Sequence, residues 1–69
     1  MSYARWGPDS DVFVWMCPGE GWITWTEADP LPSVDDSAGA CLARLRRLRE
    51  AGMRVPDFAI TRLEEEMRA

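Results

Sequence analysis

The sequence predicts an α+β domain in which a two-stranded antiparallel β-hairpin packs on two consecutive α-helices. Two aromatic-rich segments on either side of a glycine-containing turn predict the hairpin over about residues 11–26. Leucines at helical spacing, followed by a glycine and a proline, predict one helix over about 38–51 and another over about 56–67. A connector is expected over 27–36, so the 69 residues are interpreted as one small domain.

The hairpin prediction depends on the β-branched and aromatic residues of 12–16 and 22–26. The two segments flank a short turn, so they most simply pair as neighbouring antiparallel strands. Alternation places the even-numbered residues of the first segment on one face and Phe13 and Trp15 on the other. Both faces are apolar. One face should therefore meet the helices, and the other should be covered by the N-terminal arm with Trp6 or by a partner.

The helix limits are predicted from local signals. Ser37 suits the N-cap of the first helix, and Gly52 suits the left-handed position just after it. Pro56 is tolerated in the first turn of the second helix. Pro30 and Pro32 remove backbone donors from the connector, so no regular element is expected to cross residues 29–33.

The composition argues against several classes of function. The chain has a net charge of −4, all eight basic residues are arginines, and there is no histidine. Without histidine the commonest general base and metal ligand is missing, so no enzyme, cofactor or metal site is expected. No run approaches the roughly 20 apolar residues of a membrane span, which favours a cytoplasmic protein with no membrane partner. Cys17 and Cys41 are expected to be free thiols.

The first candidate binding residues are four arginines of the first predicted helix, Arg44, Arg46, Arg47 and Arg49. They are interpreted as a solvated helix surface, with Arg46 paired to Glu50 one turn later, or as a protein contact. A basic helix can also enter a DNA groove, but the acidic net charge makes nucleic acid the least favoured partner.

Two aromatic residues are further candidates for a partner site. Four tryptophans in so small a domain are too many for all to be fully buried. Trp22, at the mouth of the hairpin turn, is expected to be partly exposed. Phe58 falls nearly opposite the core-facing residues of the second helix, so it should be exposed or folded back on the first helix. Either residue could mark a partner site or a homodimer face.

Motifs near both ends of the chain resemble small proteins encoded by actinobacteriophages. They comprise residues 3–7, 9–14, 49–57, 59–60 and 63–64. The relatives have a zinc-finger-like outline, with Cys-x-x-Cys on the second strand and two histidines spaced i, i+4 on the helix. The resemblance implies a phage accessory protein made in the host cytoplasm.

The zinc ligands of that family are missing from this chain. Arg44 and Leu48 stand at the positions of the helical histidines, Met53 replaces a third histidine, and residues 24–28 contain no cysteine. The resemblance therefore implies that the metal has been lost. We expect apolar contact to replace it, with Trp25 against Leu48 as the best candidate pair.

These observations give one functional hypothesis and two alternatives. The hypothesis is a small non-catalytic phage accessory protein that binds a host or phage macromolecule, with a protein favoured, through exposed arginine and aromatic residues. The alternatives are a nucleic-acid-binding module that uses the arginine-rich helix, and a self-associating structural protein whose Trp-rich sheet face forms a dimer.

If apolar contacts have replaced a zinc centre, a chelator should leave the melting temperature unchanged. Thermal unfolding followed by circular dichroism, with and without EDTA, measures this, and elemental analysis should find no stoichiometric zinc. One zinc ion per chain, or a lower melting temperature in EDTA, would contradict the prediction.

Overall fold

The computed structural model describes residues 2–68, and within them the chain forms a four-stranded sheet and two helices. The elements in chain order are β1 (Ser2–Ala4), β2 (Val12–Cys17), β3 (Gly21–Thr26), β4 (Ser33–Asp35), α1 (Ala38–Glu50) and α2 (Asp57–Arg68). The sheet is antiparallel throughout, in the order β1-β2-β3-β4. The α+β class predicted from the sequence is confirmed.

The predicted two-stranded sheet is incomplete. β2 and β3 form the hairpin, but β1 and β4 each add a short antiparallel strand at one edge. β4 lies inside the predicted connector, directly after Pro32. Proline is tolerated beside the first residue of an edge strand, because no ladder hydrogen bond is lost there. Strands of three residues are too short for their alternation to be recognised in the sequence.

A glycine allows β3 and β4 to lie close together. Gly21 has a φ of +114°, and a Cβ at this position would lie 2.3 Å from the carbonyl oxygen of Asp35. Any other residue at position 21 would therefore be strained and would push the first residue of β3 away from the end of β4.

The helix ends follow local sequence chemistry. The backbone N–H of Ala40 donates to Ser37 Oγ at 3.1 Å, so Ser37 caps α1 as predicted. At the other end Gly52 has a φ of +100°. The N–H groups of Met53 and Gly52 donate to the carbonyls of Leu48 and Arg49, at 3.1 and 3.0 Å. This pairing satisfies the last carbonyls of α1 and turns the chain sharply toward α2.

Both helices pack against one side of the sheet, which we call the inner face. The paired residues Val14 and Thr24 point to this face, and Thr24 Oγ1 lies 3.7 Å from Cys41 Sγ on α1. Buried apolar side chains from the sheet and both helices fill the space between them. These include Tyr3, Ala4, Val12, Val14, Cys41, Leu42, Leu45, Val55, Ala59, Ile60 and Leu63.

The expected contact between Trp25 and Leu48 is wrong. Leu48 packs against the core on the inner face. Trp25 is paired with Phe13, and both point to the opposite side, which we call the outer face. The connection between hairpin and helix is made instead by the core and by ionic contacts near the sheet edges.

One such contact joins the start of β2 to the corner between the helices. The guanidinium of Arg54 donates to both carboxylate oxygens of Asp11, at 2.9 and 3.4 Å, and to the carbonyl oxygen of Pro8. The backbone N–H of Arg54 also donates to Asp11 Oδ2, at 2.7 Å, and the N–H of Asp11 donates to the carbonyl of Arg54, at 2.8 Å. The hydrogen bonds from Arg54 hold the pKa of Asp11 below its usual value.

The buried core should dominate the stability of so small a domain. Leu45 on α1 is fully buried, whereas Leu31 in the loop before β4 is 75% exposed. We expect Leu45→Ala to lower the free energy of unfolding by about 3 kcal/mol. The same change at Leu31 should have an effect within about 0.5 kcal/mol. Urea unfolding followed by circular dichroism measures both, and equal effects of the two substitutions would contradict this assignment of the core.

Candidate functional site

Two of the candidate arginines are engaged within the protein. Arg44 makes a bidentate contact with Asp35 of β4, at 2.9 and 3.1 Å, and this hydrogen bonding raises the pKa of Arg44. Arg46 does not form the expected pair with Glu50. Its guanidinium instead donates to Glu64 Oε2 on α2, at 2.9 Å. Arg44 therefore links α1 to the sheet edge, and Arg46 links α1 to α2.

The remaining two arginines differ from each other. Arg49 donates to the carbonyl of Val55, at 2.5 Å, and to Asp57 Oδ1, at 2.7 Å, so it spans the corner between the helices. Arg47 is exposed and has no ion pair with any residue of 2–68. Because three of the four guanidinium groups already have carboxylate partners, α1 does not present a free cationic surface.

Trp22 lies on the inner face. It pairs with Met16, and the ring packs against the core with partial exposure. Trp22 Nε1 is buried beside the Tyr3 hydroxyl, where its N–H opposes part of the rise in the pKa of Tyr3. Trp6, at 41% exposed, is more open to solvent than Trp22.

Phe58 is 58% exposed on the first turn of α2, in agreement with one of the two expectations for it. It lines a groove of about 670 Å³ between the N-terminal segment and α2, and Trp22 is not part of this groove. The groove also includes Tyr3 of β1. The two predicted aromatic residues therefore do not share a site.

Tyr3 is almost fully buried, at 1% exposed, and its hydroxyl donates to Glu66 Oε2. Burial, reinforced by this hydrogen bond to a carboxylate, raises the pKa of Tyr3 to about 12. The guanidinium of Arg62 lies 5.5 Å from the centre of the Tyr3 ring. Tyr3 thus ties β1 to α2 and stays protonated at neutral pH, which makes it unsuited to proton transfer in the groove.

The outer face carries a group of neighbouring aromatic side chains, of which Trp6 is exposed and the other three are half-buried. We call Trp6, Phe13, Trp15 and Trp25 the outer aromatic cluster. Ring centres are 5.6 Å apart for Trp6 and Phe13, 5.6 Å for Trp6 and Trp25, and 5.0 Å for Phe13 and Trp15. The planes meet at 73°, 63° and 85°, the edge-to-face arrangement that aromatic rings prefer. These four residues line a depression of about 380 Å³.

Two turns position the cluster. Gly7 and Ser10 exchange backbone hydrogen bonds of 3.1 Å, and this turn returns the chain toward β2 with Trp6 over the outer face. Trp6 Nε1 then donates to the carbonyl of Trp25, at 3.1 Å. After β3, the hydroxyl of Thr26 donates to the Asp29 carboxylate, at 2.7 Å. The Asp29 carbonyl accepts from Trp25 Nε1, at 3.0 Å.

The apolar surface continues beyond the cluster. Ile23 is paired with Trp15 on one side and Val34 on the other, so all three lie on the outer face, where Ile23 is buried at 5% exposed. Val34 is 56% exposed. The outward positions of β2, β3 and β4 include no charged residue. An uncharged, aromatic surface of this kind is suited to apolar contact and to few directed polar contacts.

The described residues offer little for bond-making chemistry. No group of three His, Cys, Asp or Glu residues within 2–68 could hold a metal ion. The pKa of Cys41 is raised by burial, and the pKa of Cys17 is raised by its hydrogen bond with Glu20. Both thiols therefore stay protonated at neutral pH and are weak nucleophiles. None of the helices in this part of the chain has the length and apolarity needed to cross a membrane.

Comparisons with protein-family models, curated proteins and solved structures find no match for this chain. The site must therefore be judged on its own geometry. Sequence reasoning placed Phe13 and Trp15 together on one strand face and named Trp6 as a possible cover, but it missed Trp25. The signal that could have placed Trp25 beside Phe13 is the alternation of inward and outward side chains, continued from β2 through the hairpin turn into β3.

The pKa of Tyr3 can be measured directly, because Tyr3 is the single tyrosine of the chain. Its value of about 12 in the folded protein exceeds the value of about 10 in an unfolded chain. Tyr3 therefore contributes stability that is fully present below pH 10 and is lost as the pH rises through 12. Tyrosinate absorbance should have its midpoint near 12 in buffer and near 10 in urea.

The Glu66→Gln variant supplies the control for this titration. Removing the carboxylate should reduce the rise in the pKa of Tyr3 but should not abolish it, because burial is the larger cause. Circular dichroism at each pH shows whether the chain is still folded. Ionisation of Tyr3 near pH 10 in a chain that remains folded would contradict the buried position.

Proposed function

We propose that this protein is a small non-catalytic binding protein that holds a partner protein on its outer aromatic cluster. The observation that carries the proposal is the accessible depression formed by four aromatic side chains on a sheet face that no helix covers. Tryptophan is over-represented among the residues that dominate binding energy in protein interfaces. Covering an apolar surface of this kind contributes roughly 25 cal/mol for each Å² removed from water.

The arginine helix is the weaker candidate for the binding surface. Arg44, Arg46 and Arg49 would each have to exchange an internal carboxylate partner for a ligand. Phosphate contacts depend on cationic groups that are free to displace counterions. With these three pairs formed and a net charge of −4, nucleic acid remains less favoured than a protein partner.

The proposal extends to the biological setting implied by the resemblance of the terminal motifs. In this proposal the chain is an actinobacteriophage accessory protein, made in the cytoplasm of the infected cell, and the partner is a host or phage protein. The zinc-finger-like outline of the relatives is proposed to persist as the β2–β3 hairpin followed by α1, with the buried core in place of the metal.

Site-specific photocrosslinking in an actinobacterial host tests the binding surface. A benzoylphenylalanine is introduced in place of Trp15, inside the cluster, or in place of Arg47, on the exposed side of α1. We expect irradiation to yield a discrete crosslinked species from position 15 and none from position 47. The species should be sensitive to protease and resistant to nuclease, since the partner is a protein.

Position 47 is a matched control, because it is solvent-exposed and carries the one candidate arginine without an ion pair in residues 2–68. Circular dichroism confirms that both variants fold. Crosslinking from position 47 alone, or a nuclease-sensitive product, would contradict the proposal and favour the arginine helix as the binding surface.

A further inference from the structure

We infer that the outer aromatic cluster binds a proline-rich, extended segment of the partner protein, in the polyproline II conformation. This inference rests on the proposed function and specifies the chemistry of the partner. It follows from three properties of the cluster, namely its concave shape, its nearly apolar lining and its supply of hydrogen-bond donors.

The shape suits small, rigid, convex side chains. The depression of about 380 Å³ lies near the lower end of the range of about 300–1,000 Å³ found for small-ligand sites. Phe13 meets Trp6 at 73° and Trp15 at 85°, so neighbouring walls of the depression present ring faces and ring edges in turn. A proline ring is flat-sided and rigid, and it can lie against such walls without losing rotamer freedom.

The donors of the cluster limit what a ligand can be. The indole N–H groups of Trp6 and Trp25 already donate to the carbonyls of Trp25 and Asp29. Trp15 is half-buried, and its Nε1 donates no hydrogen bond within residues 2–68 and is not among the fully buried atoms that lack a partner, so it keeps some access to solvent. The cluster therefore offers one free donor and little else that is polar.

A proline-rich segment suits a surface with one free hydrogen-bond donor. Proline has no backbone N–H, so its burial leaves no unsatisfied donor. The polyproline II helix has no internal hydrogen bonds, and its outward carbonyls can accept from a single indole N–H such as that of Trp15. Aromatic-lined grooves bind such segments because the conformation is formed beforehand and little chain entropy is lost on binding.

Two other occupants fit less well. A second copy related by a twofold axis would bring one concave depression against another, which leaves a void where close packing is needed. An added β-strand requires a free sheet edge, but the cluster residues Phe13, Trp15 and Trp25 lie on the two central strands β2 and β3. The occupant must therefore bind by its side chains and be convex.

The test uses decaproline as the probe and a Gly-Ser decamer as the matched flexible control. Titration of the full chain is followed by tryptophan fluorescence and by the indole N–H signals in NMR spectra. We expect decaproline to give saturable shifts of the Trp6, Trp15 and Trp25 signals, whereas the Gly-Ser decamer gives none. Shifts confined to the Trp22 signal, or equal responses to both peptides, would overturn the inference.

Paired substitutions keep the result interpretable. Trp15→Phe retains an aromatic ring but removes the free indole donor, and it should weaken decaproline binding roughly fivefold, the effect of one lost hydrogen bond. Trp22→Phe makes the same change on the inner face and should leave binding unchanged. Equal affinities of the Trp15→Phe variant and the unaltered chain would contradict a role for the free donor.

The photocrosslinking result separates failure of this inference from failure of the proposed function. If position 15 crosslinks to a protein but decaproline does not bind, the cluster is a protein-binding site of another specificity and only the inference is wrong. If neither is observed, both are wrong. A dimer mass in light scattering, together with no decaproline-induced shifts of the Trp6, Trp15 and Trp25 signals, would favour a second copy as the occupant and would also overturn the inference.

Discussion

The structure depends on the register between the two central strands. In this register Val14 is paired with Thr24, and both point toward the helices. Phe13 is paired with Trp25, and both point away from them. Because strand side chains alternate with a period of two, a shift of one residue would exchange the two faces. The two helices cover only one of these apolar faces. The other keeps its aromatic rings at the surface, with Trp6 as partial cover.

Ionic contacts fix the edges of this arrangement and, within residues 2–68, involve at least four of the eight arginines. Arg54 meets Asp11, 43 positions away in sequence, and Arg44 meets Asp35 on the edge strand β4. Exposed pairs of this kind contribute little stability individually. They also leave few guanidinium groups of α1 available to a ligand. These arginines therefore connect elements of the fold, and the outer aromatic residues provide the proposed contact surface.

Features determined by neighbouring residues could be predicted from the sequence, whereas features determined by distant residues could not. The Ser37 cap, the glycine after α1 and the β2–β3 hairpin all depend on short-range chemistry. The choice of which β3 side chains face the helices does not depend on short-range chemistry. The polar residues Thr24 and Thr26 of β3 suggest a solvent-facing side, yet both are buried, since Cys41 Sγ and the Asp29 carboxylate serve as their partners. The contact between Trp25 and Leu48, expected from the zinc positions of the resembling family, places Trp25 on the wrong face. The ionic partners of the arginines were likewise hidden, because Glu64 and Asp35 are far along the chain.

The central claim is that the fold leaves the outer aromatic cluster open to solvent while the inner face is closed. The four indole N–H groups give separate NMR signals, so a neutral, soluble paramagnetic probe measures the accessibility of each tryptophan. Attenuation should be strongest for Trp6, intermediate for the half-buried Trp15 and Trp25, and weakest for Trp22, whose Nε1 is buried. If Trp22 were attenuated as strongly as Trp6, or if the outer signals were protected in dilute solution, the cluster could not be the open binding surface described.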